Sequence, residues 1–279
     1  MRLRSLLVLA ALVAGLSLAF AQASPDDLRF VFLGDRTGEA QPGVYEKIWK
    51  ALAAEKPAFV VSAGDTIQGL DDAGAESEWR HVESILSPYR AIPLFLAPGN
   101  HDIWSEQSER LFVKYAGHPV HYSFDRGPAH FTVLDNSRAD VLPAAELAFL
   151  EQDLKSHASR PVKFIVSHRP GWIFNVLLRN PDFPLHQLAR KYGVQYVIAG
   201  HVHQLLHYSL DGVEYLSLPS AGGHLRGSRK YEDGWFFGYT VVDVRKTGDA
   251  FRIEPGIHPL GGPVTDLRRW GPAGLIPTP

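Results

Sequence analysis

The chain has 279 residues, of which 45% are hydrophobic and 21% charged, values typical of a folded protein with one or two domains. Its formal net charge of −2 argues against a generally basic surface for nucleic-acid binding. Cysteine is absent, which excludes disulfides, thiolate metal ligands and cysteine nucleophiles. Any bound metal must therefore be held by histidine, by acidic or amide side chains, or by backbone oxygen.

The first 23 residues have the pattern of a secretory signal peptide. Arg2 and Arg4 supply positive charge, the run from Leu6 to Phe20 is mostly apolar, and small residues suited to cleavage follow at 19–23. The apolar run is shorter than the ~20 residues that a membrane span needs. We therefore expect residues 1–23 to be removed, leaving an exported protein, periplasmic or extracellular, without a stable membrane span.

Beyond the signal, short apolar runs alternate with longer amphipathic stretches. Strands are predicted over 28–33, 58–62, 92–97, 120–124, 130–134, 162–167, 195–199, 205–208, 213–218, 236–244 and 250–253. Helices are predicted over 44–55, 75–86, 105–115, 143–156 and 185–192. This alternation predicts an α/β fold with mostly parallel strands and antiparallel hairpins near the end of the chain. The simplest interpretation is one domain over residues 24–279, with a Pro- and Gly-rich tail over about 254–279.

Five of the predicted strands lead into residues that are able to bind a metal ion. These residues are Asp35, Asp65, Asn100, His168, and the pair His201 and His203. Ligands of open α/β sheets bind outside the carboxyl ends of the strands, so residues far apart in sequence can converge there. Carboxylate, amide and imidazole groups together suit Zn, Mn or Fe better than Ca.

The order of these residues resembles a known family. The motifs are Gly34-Asp35, Gly64-Asp65, Gly99-Asn100-His101-Asp102, His168, and Gly200-His201-Val202-His203. Together they are similar to the five ordered motifs of the calcineurin-like metallophosphoesterases, which include purple acid phosphatases, Ser/Thr phosphatases and cyclic-nucleotide phosphodiesterases. The resemblance covers residues 30 to about 220. It implies a four-layer α/β/β/α sandwich in which two mixed sheets pack face to face between helices.

The resemblance also implies a centre of two divalent or trivalent metal ions, with Mn, Fe or Zn as candidates. Asp65 would bridge both ions. The other ligands would be Asp35 and His203 at the first ion, and Asn100, His168 and His201 at the second. A bridging water activated by the metals would attack phosphorus in line with the leaving alkoxide.

Three further residues near the ligands are candidates for catalytic roles, His101 and Asp102 through the resemblance and Arg36 through its position beside Asp35. His101 would stabilise charge or protonate the leaving group. Asp102 would hold the loop or a neighbouring imidazole in place. Arg36, like Arg169 beside His168, would either clamp a substrate phosphate or pair with a nearby acid.

The first metal site departs from the pattern of the family. Its first motif is usually Asp-x-His, whereas this chain has Asp35-Arg36-Thr37 and lacks the histidine ligand. Purple acid phosphatases also lack it, but they carry a tyrosine three residues after the bridging aspartate, where this chain has Gln68. Thr37, Gln68 or water must fill the position. The same residues argue against the purple ferric-tyrosinate subtype, and Gln68-Gly69 argues against the Ser/Thr phosphatases.

Several residues outside the motifs have two interpretations. Residues 171–183 form either a helix packed on the sheet or an apolar wall for the leaving group. His224 lies in a loop that can reach the site. Asp135 and Asn136 end a strand on the side of the metals, where fixing a loop is favoured over binding an ion.

The function favoured by the sequence is metal-dependent hydrolysis of a small phosphate ester, with a monoester slightly ahead of a diester. Phosphodiesterase or nuclease activity on nucleotides or phospholipid headgroups is the first alternative. A metal-binding protein without useful catalysis is the second, because the histidine is missing at Thr37. The sequence leaves the oligomeric state open.

Overall fold

A computed structural model describes residues 27–267 as twelve strands and six α-helices. The strands are β1 (Leu28–Leu33), β2 (Val60–Ser62), β3 (Leu94–Leu96), β4 (Tyr122–Arg126), β5 (Ala129–Val133), β6 (Val162–Val166), β7 (Tyr196–Ala199), β8 (Leu206–Leu210), β9 (Val213–Ser217), β10 (Gly238–Thr247), β11 (Ala250–Pro259) and β12 (Thr265–Asp266). The helices are α1 (Val44–Ala54), α2 (Asp72–Leu86), α3 (Glu106–Ala116), α4 (Ala144–Ser156), α5 (Ile173–Leu177) and α6 (Pro184–Lys191). The predicted signal peptide and the last part of the predicted tail lie outside these residues.

The strands form two six-stranded mixed sheets. The first sheet has the order β12-β11-β10-β1-β2-β3 and the second the order β4-β5-β6-β7-β9-β8. Strands β1, β2 and β3 are parallel, as are β5, β6, β7 and β9, while the hairpins β10–β11, β4–β5 and β8–β9 are antiparallel. The parallel strands of each sheet carry their carboxyl ends to one edge, which is where the site lies.

Residues of β1 show why four layers form. Phe30 and Phe32 point between the sheets, where the ring centroid of Phe30 lies 5.1 Å from that of Phe131 on β5. Val31 and Leu33 point to the opposite face and pack under α1. Burial of each such side chain contributes about 1.5–3 kcal/mol. A strand that is apolar on both faces therefore has a sheet on one side and a helix on the other, and the predicted four-layer sandwich is confirmed.

Capping residues set where the helices begin. The carboxylate of Asp71 accepts hydrogen bonds from the backbone N–H groups of Ala73 and Gly74, so α2 begins at Asp72 rather than at the predicted Ala75. Pro143 precedes α4 and is not its first residue.

The C-terminal region is more regular than expected. Strand β11 continues to Pro259 rather than ending at Ile253, and it pairs with β10 along its full length. Only Gly256 and Ile257 of β11 pair with β12, so one edge of β11 is nearly open. Pro255 and Pro259 have no N–H group to donate, and proline is tolerated where that group would face an open edge. Within residues 27–267, no helix is long and apolar enough to cross a membrane.

Candidate metal centre

All six predicted ligands meet where the carboxyl ends of the two sheets adjoin. Asp35, Asp65 and Asn100 follow the neighbouring strands β1, β2 and β3, whereas His168, His201 and His203 follow the neighbouring strands β6 and β7. Two groups of potential ligand atoms form there, each with all its atoms within 4.8 Å of one another. One comprises Asp65, His168 and His201, the other Asp35, Asp65 and His203. Asp65 belongs to both groups, as a bridging ligand must.

The first group surrounds Nε2 of His168. This atom lies 3.1 Å from Oδ1 of Asn100, 3.2 Å from Nδ1 of His201 and 3.3 Å from Oδ2 of Asp65. Ligand atoms about 2.0–2.1 Å from one metal ion lie roughly 3.0–3.4 Å apart. The spacing therefore fits four ligands of a single ion.

The second group contains a buried atom without a hydrogen bond. Nε2 of His203 lies 3.5 Å from Oδ1 of Asp35 but has no hydrogen-bond partner among the described residues, and the same is true of Oδ2 of Asp65. All three side chains are fully buried. Buried polar atoms almost always have a partner, so these two atoms fit ligands of a metal ion.

Backbone carbonyls orient two of the imidazole rings. Nδ1 of His168 lies 2.8 Å from the carbonyl oxygen of Ala63, and Nδ1 of His203 lies 2.8 Å from that of His224. A carbonyl only accepts, so each Nδ1 carries the proton and each Nε2 is left with its lone pair facing the cluster. His224, whose loop was able to reach the site, contributes this backbone carbonyl, and its ring contacts the carbonyl of Gly38.

The buried carboxylates stabilise positive charge in the cluster. Burial would lower the pKa of His168, but the charges of Asp65 and Asp35 outweigh it and raise this pKa to about 9. Burial also opposes ionisation of Asp65, yet His168 holds its pKa well below the usual range. For His201, burial and the charges of His168 and Arg169 lower the pKa to about 4, so that ring stays neutral. The additional proton of His168, on Nε2, supplies positive charge next to the two carboxylates, and a metal ion bound there would supply it instead.

Three of the ligands have a strained backbone. Asp65, His201 and His203 have φ values of 56°, 69° and 59°, in the left-handed region that costs a non-glycine residue of order 1–3 kcal/mol. The loops also pass very close to one another: a Cβ on Gly99 would lie 2.2 Å from Oδ1 of Asp65, and one on Gly200 would lie 2.6 Å from Oδ2 of Asp35. Such strain is typical of functional sites.

Asp102 holds two loops together. Its buried carboxylate accepts hydrogen bonds from the backbone N–H groups of Thr66, Ile67 and Gly99. Burial and the nearby charge of Asp65 raise its pKa to about 6. Of the two roles expected for Asp102, these contacts correspond to holding the loop, so it is a positioning residue.

His101 lies beside the bridging carboxylate. Its backbone N–H donates to Oδ1 of Asp65 at 2.9 Å, and its Nδ1 lies 2.5 Å from the carbonyl oxygen of Gln68. Since Nδ1 donates to that carbonyl, Nε2 is the nitrogen available to a substrate. The ring is half-buried, as a group that exchanges protons with a substrate must be.

Thr37 and Gln68, the residues at the departure from the family pattern, contact each other. The hydroxyl of Thr37 donates to Oε1 of Gln68 at 2.5 Å, and the backbone N–H of Glu39 donates to the same oxygen. Glu78 of α2 accepts from the N–H groups of Gln68 and Gly69, a contact that no sequence signal indicated. The pair therefore ties the first and second motifs together.

The two arginines have separate surroundings. The side chain of Arg36 donates to the carbonyl of Thr66 at 3.0 Å and lies over the ring of Tyr45, while its backbone N–H donates to the carbonyl of Asp65. Arg169 pairs with Asp140 at 2.7 Å, the second of its two expected roles.

Asn136 fixes the loop that carries His168. Its Oδ1 accepts from the backbone N–H groups of His168 and Arg169, and its Nδ2 donates to the carbonyl of Arg169. This arrangement matches the favoured interpretation of Asn136 as a residue that fixes a loop.

Comparison with known proteins identifies the family. The sequence profile described as "Calcineurin-like phosphoesterase" matches residues 28–205, and the chain belongs to this family, as its motifs predicted. A 3',5'-cyclic-nucleotide phosphodiesterase of Nostoc sp. is 28% identical over 160 residues, which span 54% of this chain and 59% of the relative. The 3',5'-cyclic adenosine monophosphate phosphodiesterase CpdA of Escherichia coli is 27% identical over 200 residues, spanning 67% of this chain and 69% of CpdA.

A solved structure supports the fold. Purple acid phosphatase PPD1 from yellow lupin seeds has a TM-score of 0.67 at 18% identity, and the match covers 88% of this chain and 53% of the lupin chain. At this identity the likeness concerns the fold alone.

Proposed function

We propose that this protein hydrolyses phosphate esters with two bound metal ions, Mn, Fe or Zn. The observation that carries the proposal is the position of Asp65, whose carboxylate is shared by two groups of potential ligand atoms. Membership of the calcineurin-like phosphoesterases supports the same chemistry.

The residues of the chain supply positioning and proton transfer. When bound, the metal ions would polarise the phosphoryl group and lower the pKa of water. His101, half-buried and with Nδ1 fixed on the carbonyl of Gln68, would offer Nε2–H to the leaving-group oxygen. Asp102 keeps the loops of Asp65 and His101 in register through its three backbone hydrogen bonds.

The sequence favours a phosphomonoester as substrate, and the relatives support a diester as the second candidate. Both relatives described above are named as cyclic-nucleotide phosphodiesterases. The amide of Gln68, where purple acid phosphatases carry tyrosine, also separates this site from that group of monoesterases.

Hydrolysis of matched aryl esters tests both candidates. Protein loaded with Mn, Zn or Fe is assayed on p-nitrophenyl phosphate and bis(p-nitrophenyl) phosphate, beside the variants Asn100→Ala and His201→Ala and the exposed control His81→Ala. We expect turnover of at least one ester, lost in the first two variants and kept in the control. Metal binding without turnover of either ester would leave the binding-protein alternative. Turnover that survives both ligand variants would contradict the proposed site.

Export remains part of the proposal. It rests on the charge of Arg2 and Arg4, the apolar run after them and the small residues at 19–23. Cell fractionation and the mass of the purified protein test it: we expect a non-cytoplasmic protein that lacks residues 1–23. A full-length protein in the cytoplasm would contradict export.

A further inference from the structure

A cavity of about 100 Å³ lies beside the metal-ligand cluster, on the helical side of the second sheet. Ser167 and Arg169, the two neighbours of His168, both line it. Its wall is mainly apolar and includes Trp172, Phe183 and Leu142. We call it the Trp172 cavity. The cavity and the cluster therefore share the segment that follows β6.

Exposed apolar side chains lie on two segments that help to line this cavity. Within residues 27–267, the three most exposed large hydrophobic side chains are Val141, Phe174 and Leu178, at 73%, 77% and 78%. They lie on two touching segments, because a Cβ on Gly171 would be 2.1 Å from the carbonyl oxygen of Asp140. Val141 lines the cavity itself, whereas Phe174 and Leu178 lie on the segment that supplies Trp172 and Asn175 to its wall. We call these three side chains the rim. Single exposed apolar residues are ordinary, whereas a group of them on segments that line a cavity is typical of a binding surface.

A positively charged side chain lines the cavity next to the loop of His168. Arg169 lines the cavity and directly follows His168 in the sequence. Its partner Asp140 is 84% exposed, and such a surface pair is weak. If the guanidinium exchanged Asp140 for an anionic group of a ligand, it would bind that group at the wall of the cavity.

The wall also contains an unsatisfied donor. Trp172 is 2% exposed, and its indole N–H has no hydrogen-bond partner among the described residues. A buried donor without a partner costs about 1–3 kcal/mol, so a bound group that brought an acceptor atom to this N–H would be stabilised.

We propose that the Trp172 cavity and its rim bind the apolar part of the substrate, a single aromatic ring or a short alkyl chain, while the phosphoryl group lies at the cluster. An engineered apolar cavity of about 150 Å³ holds benzene, so a partly open cavity of this size suits one ring. This substrate class rests on the proposed function. Of the two interpretations of residues 171–183, burial of Val176 on α5 corresponds to a helix packed on the sheet. The proposal takes up the other, an apolar wall, because α5 also exposes Phe174.

The test compares an apolar with a polar leaving group. The ratio of kcat/KM for phenyl phosphate to that for glycerol phosphate is measured for the parent and for a variant carrying Val141→Ser, Phe174→Ser and Leu178→Ser. These positions are exposed, so the variant should fold. We expect the ratio to fall about tenfold, mainly through KM for phenyl phosphate. The matched control, Val264→Ser, changes an exposed valine (61%) of the C-terminal region and should leave the ratio unchanged.

A binding measurement separates failure of this inference from failure of the proposed function. If neither ester is hydrolysed, the monoester form of the proposed function fails, and calorimetry with phenylphosphonate and methylphosphonate still tests the cavity. Tighter binding of phenylphosphonate, lost in the triple variant, supports it. An unchanged ratio, or equal binding of the two phosphonates, overturns it. If the triple variant lost binding to phosphatidylcholine vesicles while the ratio stayed unchanged, the rim would bind a lipid surface, and the inference about the substrate would be overturned.

Discussion

Two clusters of histidine and aspartate lie at opposite ends of the second sheet and use the same residue types differently. The metal-ligand cluster lies at the carboxyl ends of the strands. The His130 cluster, formed by Asp125, His130, Asp153 and His157, lies at the amino end of β5. Both bring potential ligand atoms within 4.8 Å of one another.

Hydrogen bonding distinguishes the two clusters. Both ring nitrogens of His130 contact carboxylates, Asp125 at 2.8 Å and Asp153 at 2.9 Å. Asp153 also accepts from the hydroxyls of Ser123 and Thr132. The metal-ligand cluster instead keeps two buried ligand atoms without hydrogen bonds and strains the backbone of three ligands. Proximity of ligand atoms is therefore not enough to indicate a metal site. Unsatisfied ligand atoms and backbone strain accompany that proximity in the metal-ligand cluster and not in the His130 cluster.

The largest expected effect is that of Asp65→Asn, which keeps the shape of the bridging side chain and removes its charge. Metal content should fall below two ions per chain, and turnover should fall at least about a thousandfold, because the ions supply several kcal/mol of transition-state stabilisation. Mass spectrometry for metals and steady-state kinetics measure both. Asp125→Asn, the matched change in the His130 cluster, should leave metal content unchanged. If Asp65→Asn kept two ions per chain and full turnover, Asp65 would not be a bridging ligand, and the proposed difference between the two clusters would be contradicted.

His130→Leu tests the other side of the comparison. Removing the imidazole leaves the buried carboxylate of Asp153 without its central partner, so the free energy of unfolding should fall by about 3 kcal/mol. Urea denaturation measures the loss, and His81→Leu on the exposed face of α2 is the control. Metal content should stay at the parent value. Loss of an ion would show that the His130 cluster also binds metal.

Asn136→Ala should weaken metal binding without removing a ligand. The backbone N–H groups of His168 and Arg169 lose their acceptor, and loss of such an orienting contact typically costs 10–100-fold in affinity. Competition with a chelator measures the change. Asn136→Asp keeps an acceptor oxygen and should retain more affinity than the alanine variant. Equal affinity in all three proteins would show that the loop does not depend on this side chain.

The smallest effect concerns the pH dependence of stability in the His130 cluster. Burial would raise the pKa of Asp153, but hydrogen bonds from His130, Thr132 and Ser123 outweigh it and hold the pKa below its usual range. Such a carboxylate stabilises the fold above its unfolded pKa of about 3.9, and this contribution is lost as the pH falls through the folded pKa. The stability difference between the parent and Asp153→Asn should therefore be constant from about pH 7 to 5 and shrink below about pH 4. Urea denaturation across this range measures it, and a difference that grows on acidification would contradict the assignment.

Much of the fold could be predicted because local signals agree with the tertiary structure. The predicted strand at 28–33 matches β1 in full, since an apolar run ending at a glycine has few other solutions. Helix α3 begins after Ser105, whose side chain caps it. The extension of β11 to Pro259 was not predictable from the sequence. Proline usually indicates the end of a strand, unless the position of its absent N–H group lies at an open edge of the sheet.

The site was predictable in composition but not in its contacts. The motifs predict the six candidate ligands that the structure brings together, yet nothing local in the sequence indicates the left-handed backbone of Asp65 and His203, which only the surrounding packing maintains. Glu78 holds Gln68 from a helix, and the sequence has no pattern for such a contact. His157 stacks on the ring of His130, a contact between residues distant in sequence.

Anomalous diffraction from a crystal of the Mn-loaded protein tests the central claim most directly. We expect two peaks about 3.5–4 Å apart, with the carboxylate of Asp65 between them and no peak at the His130 cluster. A single peak, or a peak beside His130, would contradict the account of how this chain distinguishes its two clusters.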